Sequence, residues 1–166
     1  MKVLFLDIDG VINSSRTYAV FNAYPHDLSE RDLKMFDWVA IGLIRSLCTR
    51  GDVEIVLSSS WRLEDFYPKI GPALNLPIID RTRSFSPLRG DEIQDWLDNH
   101  PNVTKYAIVD DLDKGDMLES QLPRFVKVDR GEGLTWSNYK ALCDLFGCGI
   151  FDNEYQDDPG EDDEEY

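Results

Sequence analysis

Two stretches of this sequence place carboxylates where strands should end. In Leu4-Phe5-Leu6-Asp7-Ile8-Asp9-Gly10 an apolar run leads into aspartates spaced i and i+2, and a glycine follows. Residues two apart on an extended strand point to the same side, so Asp7 and Asp9 converge unless the strand ends between them. Two unpaired carboxylates that close repel, and a divalent cation is the simplest relief. The alternative is that one or both cap the next turn, since Asp is common at strand ends. Gly10 lets the backbone turn tightly away from the sheet. Downstream, Tyr106-Ala107-Ile108-Val109-Asp110-Asp111 repeats the arrangement, again an apolar run ending in acids. Between the two lie Ser58-Ser59-Ser60, small hydroxyls that follow the apolar run at 53–57, and Arg89, a basic residue where a helical pattern opens. Serines in such a place also cap helices.

The elements that must position these side chains are legible from apolar patterning. The run Val3-Leu4-Phe5-Leu6, β-branched and aromatic, suits a strand buried on both faces. Such strands belong to parallel sheets covered by helices, which bind ligands beyond the carboxyl ends of their strands. Further strands are expected at 53–57, 76–80, 105–110 and 125–128. A helix is expected to begin near Ser29 and to present Leu33, Phe36, Val39, Ala40, Leu43, Ile44 and Leu47 on one face until Gly51 stops it. Another opens at Arg89 with Ile93, Trp96 and Leu97 inward, and a last one, capped by Thr135 or Ser137, carries Tyr139, Leu142, Leu145 and Phe146. Residues 14–30 show little periodicity and read as a loop or short flap over the carboxyl end of the first strand. Its aromatics, Tyr18, Phe21 and Tyr24, either stack on a base or ring or fill the domain's own core. Strands alternating with helices make the fold class α/β, a sandwich around a parallel sheet.

The segment Phe5-Leu6-Asp7-Ile8-Asp9-Gly10-Val11-Ile12-Asn13 resembles the first motif of the haloacid dehalogenase-like (HAD) phosphatases, hhhhD-x-D-G. Ser58 matches the second motif, an apolar run ending in Ser or Thr. Arg89 stands where the third usually has Lys, and Asp110-Asp111 matches the fourth. The four appear in order. The resemblance implies a Rossmann-like sheet of strand order 5-4-1-2-3, with Asp7 as nucleophile forming an aspartyl-phosphate. It implies Asp9 as the acid and base, and Ser58 with nearby backbone N–H groups as the cradle for phosphoryl oxygens. Arg89 would offset the negative charge that nucleophile and phosphate bring together. Arg and Lys differ in reach and geometry, so Arg62, Arg81 and Arg83 are alternatives. Mg²⁺ is the implied cofactor, held by Asp7, the backbone carbonyl of Asp9 and Asp110, with Asp111 either a further ligand or a partner behind the ligands. Gly10, Ser59 and Arg62 are the expected substrate-binding residues.

The resemblance also bears on the substrate. Neither the interval from Asp9 to Ser58 nor that from Ser58 to Arg89 has room for a large cap domain, so the site should be open or minimally capped. The runs Ser58-Ser59-Ser60-Trp61-Arg62, 89–97 and Gly133-Leu134-Thr135 are similar to small HAD domains of RNA-repair and phage end-healing proteins. The expected partner is therefore a phosphorylated substrate, a nucleotide or nucleic-acid end. Phosphoproteins, small phosphorylated metabolites and a non-catalytic binding module using the acidic tail are the alternatives.

Composition sets the outer bounds. At 166 residues, with 42% hydrophobic residues, one globular domain over 1–151 is expected. The net charge of −15 is uneven: nine of the 32 acids fall at 152–166, which has no base, and the other 23 against 17 bases leave −6. The tail is expected to be disordered, serving solubility or acting as a polyanion toward a basic site. The body lacks the basic footprint of a tight duplex binder. No run approaches the ~20 apolar residues that span a bilayer, and no leader precedes the first strand, so no membrane partner and a cytoplasmic location are expected. Cys48, Cys143 and Cys148 read as reduced, packed thiols.

Overall fold

The computed structural model describes residues 1–63 and 67–150. The acidic tail at 152–166 lies outside them. The apolar runs form five parallel strands: β1 (Lys2–Leu6), β2 (Val53–Leu57), β3 (Ile78–Arg81), β4 (Lys105–Asp110) and β5 (Phe125–Lys127). Their order is β3-β2-β1-β4-β5, which is the expected 5-4-1-2-3 read from the opposite edge. Because β1 lies between β2 and β4, with Leu6 level with both Leu57 and Val109, the chain leaving β1 emerges beside the ends of both neighbours.

Both faces of the sheet are covered, which is why β1, β2 and β4 are mostly apolar, while the edge strand β3 alternates half-buried and exposed residues. On one face Leu4, Leu6, Ile55, Leu57 and Val109 pack under helices α3 (Trp38–Gly51) and α6 (Trp136–Phe146). On the other, Val3, Phe5, Val56 and Ile108 meet Ile93 and Trp96 of helix α5 (Arg89–Asp98), with Trp96 edge-on to Phe5 at 5.4 Å. Helix α5 approaches its support closely: a Cβ on Gly90 would lie 2.6 Å from the backbone nitrogen of Leu118. Gln121 ties the two segments by donating to the carbonyl of Gly90. That contact sets the height of Arg89 above the sheet.

Three departures from the sequence reading have local causes. The stretch at 14–30 is not all loop: α1 (Ser15–Phe21) forms where Ser14 and Thr17 make a reciprocal capping box, and Asn22, left-handed at φ 51°, ends it. The single helix expected from Ser29 is two, α2 (Glu30–Leu33) and α3, because Asp37 caps the backbone N–H groups of Val39 and Ala40 and restarts the helix. The restart changes the helical phase, so Val39, expected on the apolar face, is exposed. A further helix, α4 (Tyr67–Leu74), accommodates Pro72 internally. Thr135 rather than Ser137 caps α6. Among the described residues no helix is long and apolar enough to cross a membrane.

Candidate active site

β1 stops at Leu6, so Asp7 and Asp9 both lie beyond the regular strand and the i, i+2 rule no longer ties them together. Asp7 stays in line with the sheet, its N–H donating to the carbonyl of Val109 at 3.1 Å. This places it beside Asp110, the last residue of β4. Asp7, Asp110 and Asp111 each offer a carboxylate oxygen, and the three oxygens lie within 4.8 Å of one another. Asp7 and Asp110 are buried and Asp111 is half-buried.

Such a cluster is costly without a counter-charge. Burial, then the neighbouring Asp110, holds the Asp7 carboxyl well above the usual carboxylate range, against the pull of Arg89 and a hydrogen bond from Ser59. Burial likewise pushes Asp110 up to about 6 although Arg89 opposes it. Asp111 is raised by burial, with Arg130 opposing. Three crowded carboxylate oxygens suit a hard divalent cation. One further observation fits that group: Asp110 gives Oδ1 to the N–H of Leu112 at 3.0 Å, while its Oδ2 is buried with no hydrogen-bond partner.

Asp9 is turned elsewhere. Its carboxylate accepts from Asn13 Nδ2 at 2.8 Å and from the indole N–H of Trp61 at 3.1 Å, with the Ser60 hydroxyl at 3.5 Å. Asn13 also uses its Oδ1 to accept from the Gly10 N–H at 3.0 Å, so one side chain clamps both the turn and the acid. The N–H of Gly10 is thereby spent on the protein, and the contribution of this glycine is space. Its φ is +87°, and a Cβ would sit 2.4 Å from Asp111 Oδ2.

Ser58 and Ser59, just past β2, are buried. The Ser58 hydroxyl has no partner. That of Ser59 accepts from the Trp61 N–H at 3.4 Å and favours the charged form of Asp7. Arg89, at the first turn of α5, brings Nε to 3.5 Å from Asp110 Oδ2, and its buried Nη1 has no hydrogen-bond partner. Unpaired buried polar atoms are rare enough that several at one set of strand ends point to an absent ligand. A hydroxyl and a guanidinium nitrogen without hydrogen-bond partners suit an anion, as a carboxylate oxygen without a hydrogen bond suits a cation.

Of the arginines weighed for the third motif, Arg83 pairs with Asp95 and lies over Phe85, and Arg81 lies over Tyr67 and donates to the carbonyl of Arg62. Arg62, expected to bind substrate, is 4% exposed and has both terminal nitrogens committed. Nη1 holds the carbonyls of Ser58 and Ser59 at 3.1 and 2.8 Å, and Nη2 pairs with Glu92 Oε2 at 2.5 Å. It thus ties the serine loop to α5. Asn13, Trp61 and Glu92 fall inside the runs that carry the resemblance, but nothing in the sequence says what they touch, and Arg130 carries no motif. Arg130, whose Nε is 3.1 Å from Asp111 Oδ2, sits at the mouth of the site. A cavity of about 530 Å³ opens there, bounded by Asp9, Trp61, Tyr24, Pro25, His26 and Arg130 among others.

A family model for the HAD domain in Swiss Army Knife RNA repair proteins matches residues 3–139. No curated protein and no solved structure matched the chain. The match runs from β1 into α6 and spans every strand-end residue described above, so the chain belongs to this family of HAD domains.

Proposed function

We propose that this HAD domain is a Mg²⁺-dependent phosphomonoesterase that works through an aspartyl-phosphate and acts on the terminal phosphate of a nucleotide or polynucleotide. The observation that carries the reading is the pairing of a carboxylate cluster with an orphaned hydroxyl and guanidinium at one set of strand ends. Asp7, Asp110 and Asp111 would hold the cation, with the backbone carbonyl of Asp9 as the further ligand expected of the family. Bound there, Mg²⁺ would neutralise the cluster and supply Lewis-acid stabilisation of phosphoryl charge.

The protein's own groups then divide the work. Asp7 Oδ attacks phosphorus as the bond to the leaving oxygen breaks, and Asp9 gives that oxygen its proton. Water next attacks phosphorus, Asp9 takes the water's proton, and the bond between phosphorus and Asp7 breaks to release phosphate. Ser58 donates to a phosphoryl oxygen, and Arg89 stabilises the charge that collects there. Arg62 and Glu92 keep the serine loop and Arg89 in register. The hydrogen bonds from Trp61 and Asn13 keep the Asp9 carboxylate turned toward the cavity where a leaving alcohol can lie. The terminal-phosphate substrate is supported by the family's RNA-repair setting.

The test is phosphate release from an aryl phosphate, 3′- and 5′-mononucleotides, and oligonucleotides phosphorylated at either end, each with Mg²⁺ and with EDTA. Turnover that needs the cation and favours one class of nucleotide end is the expected result. Turnover indifferent to EDTA would remove the cation from the reading, and preference for a phosphopeptide added to the panel would remove the nucleotide.

A further inference from the structure

The cavity beside Asp9 has a meaning that follows from in-line displacement. The attacking and leaving oxygens lie on opposite sides of phosphorus. With Asp7 as nucleophile and Asp9 as the acid that meets the leaving oxygen, the space that opens on Asp9 receives the alcohol half of the substrate. The cavity is bounded by Asp9 but not by Asp7, Ser58, Arg89 or Asp110, so it is distinct from the phosphate cradle.

Its walls are aromatic on one side and cationic at the rim. Tyr24 is 39% exposed and leans on Tyr18, itself 41% exposed, with ring centroids 4.8 Å apart. Rings that open would gain from burial, and the two support each other rather than filling the core. The segment is fastened in place. Asp32, buried, accepts from the N–H groups of His26 and Asp27 at 2.7 and 3.3 Å, and Pro25 just before them is buried. The start of α1 is pinned to the Arg130 loop, Ser15 and Arg16 donating to the carbonyls of Arg130 and Gly131. Arg130 is 69% exposed and reaches the same mouth. At about 530 Å³ the cavity is within the ~300–1,000 Å³ typical of sites for one small molecule.

We infer that this cavity is a nucleobase subsite: the base of the terminal nucleoside stacks on Tyr24. The inference rests on the phosphatase reading above and adds to it the part of the substrate that is recognised. The sugar hydroxyl bearing the phosphate lies at Asp9, the base lies over Tyr24, and the exposed guanidinium of Arg130 is placed for a neighbouring phosphate of the chain. Serine phosphates and open-chain sugar phosphates bring no ring to cover Tyr24.

The experiment measures kcat/KM for phosphate release by the full chain on three probes. These are a short single-stranded oligonucleotide with one terminal phosphate, the same oligonucleotide with an abasic terminal residue, and glycerol phosphate. Base–aromatic stacking supports an expected wild-type preference of about ten- to a hundredfold for the base-bearing over the abasic oligonucleotide. In Tyr24→Ala that ratio should fall to within about twofold, and Tyr24→Trp should keep it. Equal wild-type turnover of the two oligonucleotides would overturn the subsite, and so would a Tyr24→Ala variant that slows all three probes by one factor. Turnover of glycerol phosphate with no preference for a base sinks the subsite alone. Absence of turnover on every probe sinks the phosphatase reading and the subsite with it.

Discussion

The carboxylate cluster should destabilise the cation-free protein, and Asp110→Asn measures by how much. Asp110 is fully buried, and burial pushes its carboxyl up to about 6 even with Arg89 beside it. In the unfolded chain the same group titrates near ~3.9, and the gap of about 2 pH units corresponds to about 3 kcal/mol. A carboxyl whose folded pKa is raised contributes stability that is full below the unfolded value and is lost as pH rises through about 6. Asn is neutral at every pH and keeps an oxygen for the Leu112 N–H. In EDTA the variant and the wild type should therefore be equally stable near pH 4. By pH 8 the variant should be ahead by up to about 3 kcal/mol, or roughly 6–12 °C in Tm for a chain of this length. Relief of Asp7, whose carboxyl Asp110 also pushes up, acts in the same direction. Urea unfolding followed by tryptophan fluorescence from pH 4 to 8 reads the difference. Added Mg²⁺ should then stabilise the wild type and leave the variant nearly unmoved, because only a ligand that prefers the folded state raises stability. A difference that ignores pH, or a variant less stable than wild type at pH 8 in EDTA, would refute the reasoning.

Ser58→Ala removes a buried hydroxyl with no partner, so its urea midpoint should hold or rise slightly while kcat/KM falls about 10²-fold. A marked loss of stability would mean the hydroxyl is structural. Gly10→Ala meets both a φ of +87° and Asp111 Oδ2 at 2.4 Å, and should lose at least about 1–2 kcal/mol and bind Mg²⁺ more weakly by calorimetry. Glu92→Gln leaves the charge of Arg62 buried without its partner and should cost about 3–5 kcal/mol in urea unfolding. Replacing both partners, Arg62→Met with Glu92→Leu, also removes the hydrogen bonds to the carbonyls of Ser58 and Ser59 and from the N–H of Phe85, so it should not restore full stability.

What could be read in the sequence follows from where the information is local. β1, β2 and β4 announce themselves because strands buried on both faces need mostly apolar runs, and the acids at the ends of β1 and β4 stand out against them. Strand order came from the resemblance rather than from patterning, which says nothing about which strands are neighbours. The break between α2 and α3 was hidden because Asp37 caps a helix inside an apolar periodicity that runs through it. Asp9 shows the same limit. Its spacing from Asp7 predicts convergence only on a continuous strand, and β1 ends one residue before Asp7. The roles of Trp61, Glu92 and Arg130 depend on partners 52, 30 and 19 positions away. Arg62 drew attention as a cation near the serines, but its burial and its salt bridge to Glu92 exist only in the folded chain.

The central claim is that Asp7 carries the phosphoryl group. The measurement that meets it most directly is phosphate release by Asp7→Asn against wild type, on the best substrate of the panel and at saturating Mg²⁺, with matched unfolding curves establishing that both are folded. The nearly isosteric amide keeps the shape of the site but cannot serve as the carboxylate nucleophile, so release should drop to the uncatalysed background. Release from the folded variant at a rate near that of wild type would contradict the account.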